Sequence, residues 1–281
     1  MKAVCYFVFF CLALTACQKK KAAEYKTLNK EVQYKYLQFG EGESIAKNDY
    51  ISISLTLRNE AGDTLHYVPN YPYLFQLKSN PIDSAWLHLS IGDSAEFLIA
   101  RKLFNQRFSF YGPSQSDSGK VKLNFRIKKS LDANEVEFYR RKLLSKRELE
   151  EQADLKRYMN NLQGYIDTIG DVYRNVYHIN HDGVSIKNGA LVSIEYQGRF
   201  LNGYQFEDSR EKGVTPTFVY GQEYQMIEGM QMGLKGLKSG ESVKIILPSR
   251  RAFGREGSLA GIVPPYTAVI FDVNIIKVVN Q

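Results

Sequence analysis

Apolar and polar residues alternate at a period of two in two separate parts of the chain. Between them lies a charged stretch in which apolar residues recur every three or four positions. In the later part, Val192-Ser193-Ile194-Glu195-Tyr196 places every second side chain on an apolar face, the pattern of a half-buried strand. Asn202-Gly203 is a tight hairpin signal, and Tyr204-Gln205-Phe206 resumes the alternation. Phe218 to Tyr220 predicts another short strand, and Val243 to Leu247 and Val269 to Val278 predict two more. Ile227, Met230, Leu234 and Leu237 lie on one face of a short helix that stops at Ser239-Gly240. Strands with a single short helix predict an α+β fold, an antiparallel sheet wrapped over that helix.

The earlier part repeats this plan. Ile51-Ser52-Ile53-Ser54-Leu55 parallels Val192 to Tyr196, and Ala61-Gly62 falls where Asn202-Gly203 falls. Ile91-Gly92-Asp93-Ser94-Ala95-Glu96-Phe97 parallels Ser239 to Ile245, and Leu123 to Ile127 parallels Val269 to Val273. Gly42, Lys47 and Asn48 precede the first strand as Gly183, Lys187 and Asn188 precede the second. The shared order predicts an internal duplication, with one domain over 31–130 and its copy over 166–281.

The joining stretch, 131–165, carries Val136, Tyr139 and Leu143, then Leu155, Met159 and Leu162, at helical spacing among Lys, Arg and Glu. Asp132 with Glu135 three residues on forms a variant of the capping box, and Gly164 closes the run. This predicts a long amphipathic linker, one helix or two. No heptad seam is sustained, which favours packing on the domains over pairing with a second copy of the chain, and the oligomeric state stays open.

The first residues stand apart. Lys2 and the apolar run Val4 to Leu14 form a signal peptide, too short to span a bilayer, which needs about 20 apolar residues. Leu14-Thr15-Ala16-Cys17 resembles the lipobox of bacterial lipoproteins, which implies removal of 1–16 and lipidation of Cys17; plain secretion is the alternative. Residues 17–30 read as a tether. By the same resemblance, Gln18 after the cysteine implies a periplasm-facing lipoprotein of the outer membrane. Of the 3 cysteines, Cys5 and Cys11 lie in the discarded segment, so the mature chain carries no disulfide and folds on core burial alone. The net charge of +7 is spread along the chain. It reads as a solvated basic surface in an exported protein, with no nucleic-acid partner, though Lys19, Lys20 and Lys21 could touch anionic lipid.

The sequence shows no nucleophilic triad, phosphate loop or metal cluster; His178 and His181 lack companions at ligand spacing, and no cofactor is expected. The informative constellation is aromatic and aliphatic. Tyr196-Gln197-Gly198, Gly203 to Ser209, Met226-Ile227-Glu228-Gly229, Leu237 to Glu241, Ala252-Phe253-Gly254, Ile262-Val263-Pro264-Pro265 and Phe271-Asp272-Val273 follow in that order. This ordered set resembles the FKBP family of peptidyl-prolyl cis/trans isomerases over nearly all of 176–281.

The resemblance implies a curved antiparallel sheet around one helix, with an apolar cup between them that takes a proline. It implies Tyr196, Phe206 and Phe271 as walls, Ile227 as a side whose amide binds the substrate carbonyl, and Met230 as floor. Met226 neighbours Ile227, Ile262 closes the flap and Phe253 flanks the peptide. Glu207 stands where the family usually has Asp, with Asp208 beside it. Met230 replaces the usual Trp, and Phe253 replaces a Tyr that bonds substrate, a loss of about 0.5–1.5 kcal/mol. The expected catalytic residues are therefore Tyr196, Phe206, Glu207, Ile227, Phe253 and Phe271, with Met226, Met230, Ile262 and Asp208 binding substrate.

These residue types suit a reaction without proton transfer. An X–Pro bond turns over in tens of seconds against a barrier of about 20 kcal/mol. Twisting it removes the resonance that places charge on oxygen, so a dry cup favours the twisted, less polar state. The expected function is isomerisation of proline bonds in exported envelope proteins. The alternative is a non-catalytic or weakly catalytic chaperone or docking lipoprotein that binds proline-containing segments. In the first domain, Leu55 and Leu65 stand where Tyr196 and Phe206 stand and the Ile-Pro-Pro element is missing, which predicts an inactive FKBP-like copy.

Overall fold

The computed structural model describes residues 24–68, 71–108, 118–259 and 261–280. The lipobox and Cys17 lie outside the described residues. In the first domain the elements are β1 (Lys26–Thr27), β2 (Val32–Gln38), β3 (Tyr50–Asn59), β4 (Thr64–Tyr67), β5 (Tyr73–Gln76), α1 (Pro81–Trp86), β6 (Ser94–Ala100), α2 (Arg101–Arg107) and β7 (Lys120–Leu131). A single helix, α3 (Glu135–Asn161), follows. The second domain comprises β8 (Asp167–Ile169), β9 (Val172–His178), β10 (Leu191–Phe200), β11 (Gln205–Asp208), β12 (Thr217–Val219), α4 (Glu228–Leu234), β13 (Ser242–Leu247) and β14 (Val269–Val279).

The two antiparallel sheets share one topology. The first runs β1-β2-β6-β7-β3-β4 with β5 also on β3; the second runs β8-β9-β13-β14-β10-β11 with β12 on β10. Even the irregularities coincide. A bulge falls between Ser52 and Ile53 in one long strand and between Ser193 and Ile194 in the other. The Gly92 amide donates to the Ile127 carbonyl at 3.0 Å, and the Gly240 amide donates to the Ile275 carbonyl at 2.7 Å. Buried Asp93 accepts from the Ser90 and Gly40 amides, and buried Glu241 accepts from the Lys238 and Asn180 amides. The fold is α+β with two FKBP-like units, as the repeat predicts.

These matched bonds correct one alignment. They pair Ile127 with Ile275, so Leu123 stands at the position of Phe271, and Phe125 at that of Val273. Lining up Leu123 with Val269 is wrong by two residues. A shift of two leaves the alternation of faces intact, so periodicity cannot detect it. Among the strands that escaped the sequence reading are two of the longer ones. Val32–Gln38 and Val172–His178 carry many polar residues and pair only as outer members of their sheets. Strand β1, the partner of β2, lies within 17–30, the stretch expected as a tether.

Each sheet covers its own core. In the first, Ile51, Ile53, Ile82, Trp86, Phe97 and Phe104 are among the residues at or near zero exposure. In the second, Val192, Ile194, Leu234, Val243, Ile245 and Val273 have the same role. Helix α3 starts with the expected reciprocal cap: the Asp132 amide donates to Glu135, and the Glu135 amide donates to Asp132. Its half-buried face touches both domains. The Tyr139 hydroxyl lies 3.0 Å from that of Ser52, and Glu151 reaches Ser249.

Candidate active site

The open end of the second sheet holds a cavity of about 350 Å3. Its walls come from β10 and β11 (Tyr196, Phe206, Glu207), from the entry to α4 (Met226, Ile227), from β14 (Phe271) and from the loop before it (Phe253, Ile262). Met230 closes the bottom at 3% exposure. Every residue expected at the site lines this cavity except Asp208. The carboxylate of Asp208 is turned to Gln197 and to the amide and guanidinium of Arg210. Arg210 before all else holds that carboxyl well below the usual carboxylate range. Asp208 therefore secures the turn after β11 and stays outside the cavity lining, its acceptor positions taken by local donors.

The rings are held edge to face. Tyr196 and Phe271 have centroids 5.8 Å apart at 71°, and Phe206 and Phe271 are 6.1 Å apart at 86°. That arrangement sets the positive edge of one ring against the negative face of another. Gly198 makes it possible. A Cβ there would come within 2.6 Å of Phe206 and 3.1 Å of Phe271. The Tyr196 hydroxyl is pushed up to about 12, by burial first and then by the charge and hydrogen bond of Glu207. It therefore stays a neutral donor across the physiological range. Lys212 pairs with Glu207 at 2.6 Å and partly neutralises the one carboxylate that lines the cavity among the described residues.

Ile227 caps α4 with extended backbone, which leaves its amide ahead of the first helical turn. The loop between β13 and β14 is folded tightly on itself. The Ser258 hydroxyl accepts from the Val263 amide at 2.8 Å, and the Ser258 amide donates to the Val263 carbonyl at 2.8 Å. Gly257, at φ +75, sits where a Cβ would meet the Val263 carbonyl at 2.4 Å. Four further lining residues were not singled out in the sequence: Pro216, Gln225, Ser258 and Val263. Val263 was legible within Ile262-Val263-Pro264-Pro265, and Pro216 precedes the Phe218 strand; Gln225 and Ser258 had no signal. A larger groove of about 830 Å3 lies between the first sheet and α3, but Arg126, Lys142 and Lys146 line it, and such a surface does not suit a pyrrolidine ring.

In the first domain the equivalent recess is filled. Strand register places Leu55 at Tyr196, Leu65 at Phe206, His66 at Glu207, Tyr73 at Pro216 and Leu123 at Phe271. His66 and Tyr73 are both buried and hydrogen-bonded to each other. Helix α2 occupies the start of the loop region and delivers Phe104 and Phe108, whose centroids are 5.1 Å apart, with Phe108 edge-on to Phe75 at 5.2 Å. The core persists, and His66 and Tyr73, at two positions that line the cavity in the second domain, are buried and bonded to each other.

Comparison with known proteins agrees with this geometry. The profile of the family described as FKBP-type peptidyl-prolyl cis-trans isomerase matches residues 183–276. FK506-binding protein 1 of Saccharomyces cerevisiae is 35% identical over 98 residues, which span 34% of this chain and 84% of the yeast protein. The chain belongs to the FKBP family. The FK506-binding protein of Neisseria meningitidis serogroup B is 33% identical over 98 residues, 34% of this chain and 86% of its own length. FkpA from Escherichia coli, a solved structure, aligns with a TM-score of 0.43 at 23% identity, covering 54% of this chain and 75% of FkpA. This FKBP is thus a peptidyl-prolyl cis/trans isomerase acting on proline-containing polypeptides, and its second domain is the part that carries the family match.

Proposed function

We propose that the cavity between Tyr196, Phe206, Ile227 and Phe271 is where the proline is held and the preceding bond is rotated. The observation that carries this is the convergence of those four side chains on one apolar, open recess with Met230 as its floor. The aromatic walls disfavour the charge separation of the planar amide, and the twisted amide lacks it, so the recess lowers the barrier by differential binding. In this reading Phe253 and Ile262 flank the peptide on the loop side, Met226 and the Ile227 amide grip it on the helix side, and Glu207 orients the Tyr196 hydroxyl.

Gly198→Ala tests the assignment. The added methyl must displace the rings of Phe206 and Phe271. A loss of about 1.4 kcal/mol of transition-state contact lowers kcat/KM about tenfold. We expect that drop in a protease-coupled proline peptide assay on the full chain, from a variant that still folds by circular dichroism. A folded variant with unchanged kcat/KM overturns the placement.

The same proposal extends to where the enzyme works. The lipobox around Cys17 supports a lipid-anchored protein of the bacterial envelope, facing the periplasm from the outer membrane and assisting exported proteins. Cys17→Ser is expected to abolish incorporation of labelled palmitate and release the protein from membranes. Continued labelling of that variant excludes the anchor at Cys17.

A further inference from the structure

The loop that forms one wall of the proline cavity is gripped at its two roots and at its tip by residues outside the isomerase domain. At the first root, the Ser249 amide donates to Glu151 Oε1 at 2.5 Å, and the Ser249 hydroxyl donates to Glu151 Oε2 at 2.6 Å. The Ser249 carbonyl in turn accepts from the Ala252 and Gly254 amides, each at 2.8 Å, and so fixes the backbone on both sides of Phe253. At the second root, Arg147 donates to Thr267 Oγ1 at 3.0 Å and to the Tyr266 carbonyl at 3.4 Å. At the tip, the Tyr73 hydroxyl of the first domain donates to the Gly261 carbonyl at 3.4 Å.

Glu151 and Arg147 are four residues apart on α3 and so share one face of the helix. Both contacts are sheltered. Ser249 is 3% exposed and Arg147 7% exposed. Bonds between an ionised group and a sheltered partner are short and strong, and they fix geometry more than exposed ones do. None of the three gripping residues falls within 183–276, the stretch that matches the family. The bare isomerase domain therefore lacks this restraint, and the linker helix and the filled first domain supply it.

We propose that Glu151, supported by Arg147 and Tyr73, is a positioning residue for the isomerase reaction. It acts by holding the 249–267 loop so that Phe253 and Ile262 stay in place as the cavity wall. This rests on the reading of the cavity as the proline site. It gives the inactive first domain and the linker a task in the second domain's chemistry: they brace the catalytic loop from outside.

The test uses the full chain with Glu151→Ala and Glu151→Gln. Glutamine can still accept from the Ser249 amide and donate to its hydroxyl, so it is the rescue variant. Isomerisation of proline peptides is measured beside hydrogen exchange of residues 250–266, with β13 and β14 as the internal reference. Glu151→Ala should lower kcat/KM about five- to tenfold, less than the full worth of the two lost charge-assisted bonds, because only the part felt at the cavity wall reaches the reaction. Exchange should quicken in the loop and stay unchanged in β13 and β14, and Glu151→Gln should recover most of both losses. The proposal is overturned if Glu151→Ala keeps its activity and loop protection. It is also overturned if exchange rises equally in β13 and β14, since the effect is then one of general stability. If Gly198→Ala loses activity while Glu151→Ala does not, the cavity stands and the brace falls; if neither loses activity, the cavity reading falls too.

Discussion

Phe271→Ala should remove activity and stability together, whereas Leu123→Ala should remove stability alone. The two residues occupy the same position in the two copies, fixed by the matched bonds of Ile275 and Ile127. Both are buried, at 4% and 1% exposure. Large-to-small changes at such sites cost about 3–5 kcal/mol for Phe and about 2–5 kcal/mol for Leu. Phe271, however, also lines the open cavity and meets both Tyr196 and Phe206 edge to face. Losing that apolar wall removes about 1.5–3 kcal/mol of contact with a bound proline. If that contact is fully expressed in the transition state, kcat/KM falls about ten- to a hundredfold. Leu123 lies in the core of the first domain, where Leu55 and Leu65 stand in place of the cup aromatics, so the folded fraction of Leu123→Ala should isomerise proline peptides at the parental rate. The measurement is kcat/KM at a temperature well below both unfolding transitions, corrected for folded fraction. Equal losses in the two variants would show that Phe271 acts only as core.

The contrast between these two positions also shows how far the sequence could be read. Strand alternation and the Asn202-Gly203 hairpin placed the sheet of the second domain, and the residues of its cup were recognisable because they occur as a set. Asp208 falls outside the cavity lining, and adjacency in sequence does not report what a carboxylate bonds; Arg210 and Gln197, two and eleven residues away, decide that. The register of β7 was assigned wrongly for a deeper reason. A period of two is blind to slips of two, and only the bulge and the bonds at Gly92 and Gly240 fix it.

The outer strands Val32–Gln38 and Val172–His178 were missed because their faces are only partly buried, so their apolar residues do not alternate cleanly. The contacts of α3 were equally hidden. Val136 and Arg147 are its buried residues, and an arginine on a charged helix reads as solvated until the helix is seen against Thr267. Loss of the cup in the first domain was legible from Leu55 and Leu65. The packing beside it was not, since Phe104 lies in α2 and Phe108 caps it, and α2 has no counterpart of its length among the described residues of the second domain.

His66 makes that filled cup sensitive to acid. It is 4% exposed, and burial lowers its pKa from 6.5 to about 4. Between those values the unfolded chain binds a proton that the folded chain refuses, so the stability of the first domain falls as pH falls through this window. Above 6.5 the ring is neutral in both states and nothing is lost. The full effect across the window is about 3 kcal/mol, of which about 2 kcal/mol should be seen between pH 7 and pH 5, before most carboxylates titrate. Trp86 makes the measurement selective, because it is the only Trp of the chain and is fully buried in the first domain. Urea unfolding followed by its fluorescence should show a midpoint that drops between pH 7 and pH 5. In His66→Gln, which keeps a hydrogen-bonding group opposite the Tyr73 hydroxyl but cannot titrate, the midpoint should stay level. A parental midpoint that is flat over this range, or a variant that falls as steeply, would mean that His66 is protonated in place and that the recess is wetter than its burial indicates. In the brace proposed above, Tyr73 is the common element: it bonds His66 on one side and the Gly261 carbonyl of the catalytic loop on the other. Acid that loosens the first domain should therefore also loosen the loop, and isomerase activity should decline over the same pH range in the parent and hold in His66→Gln.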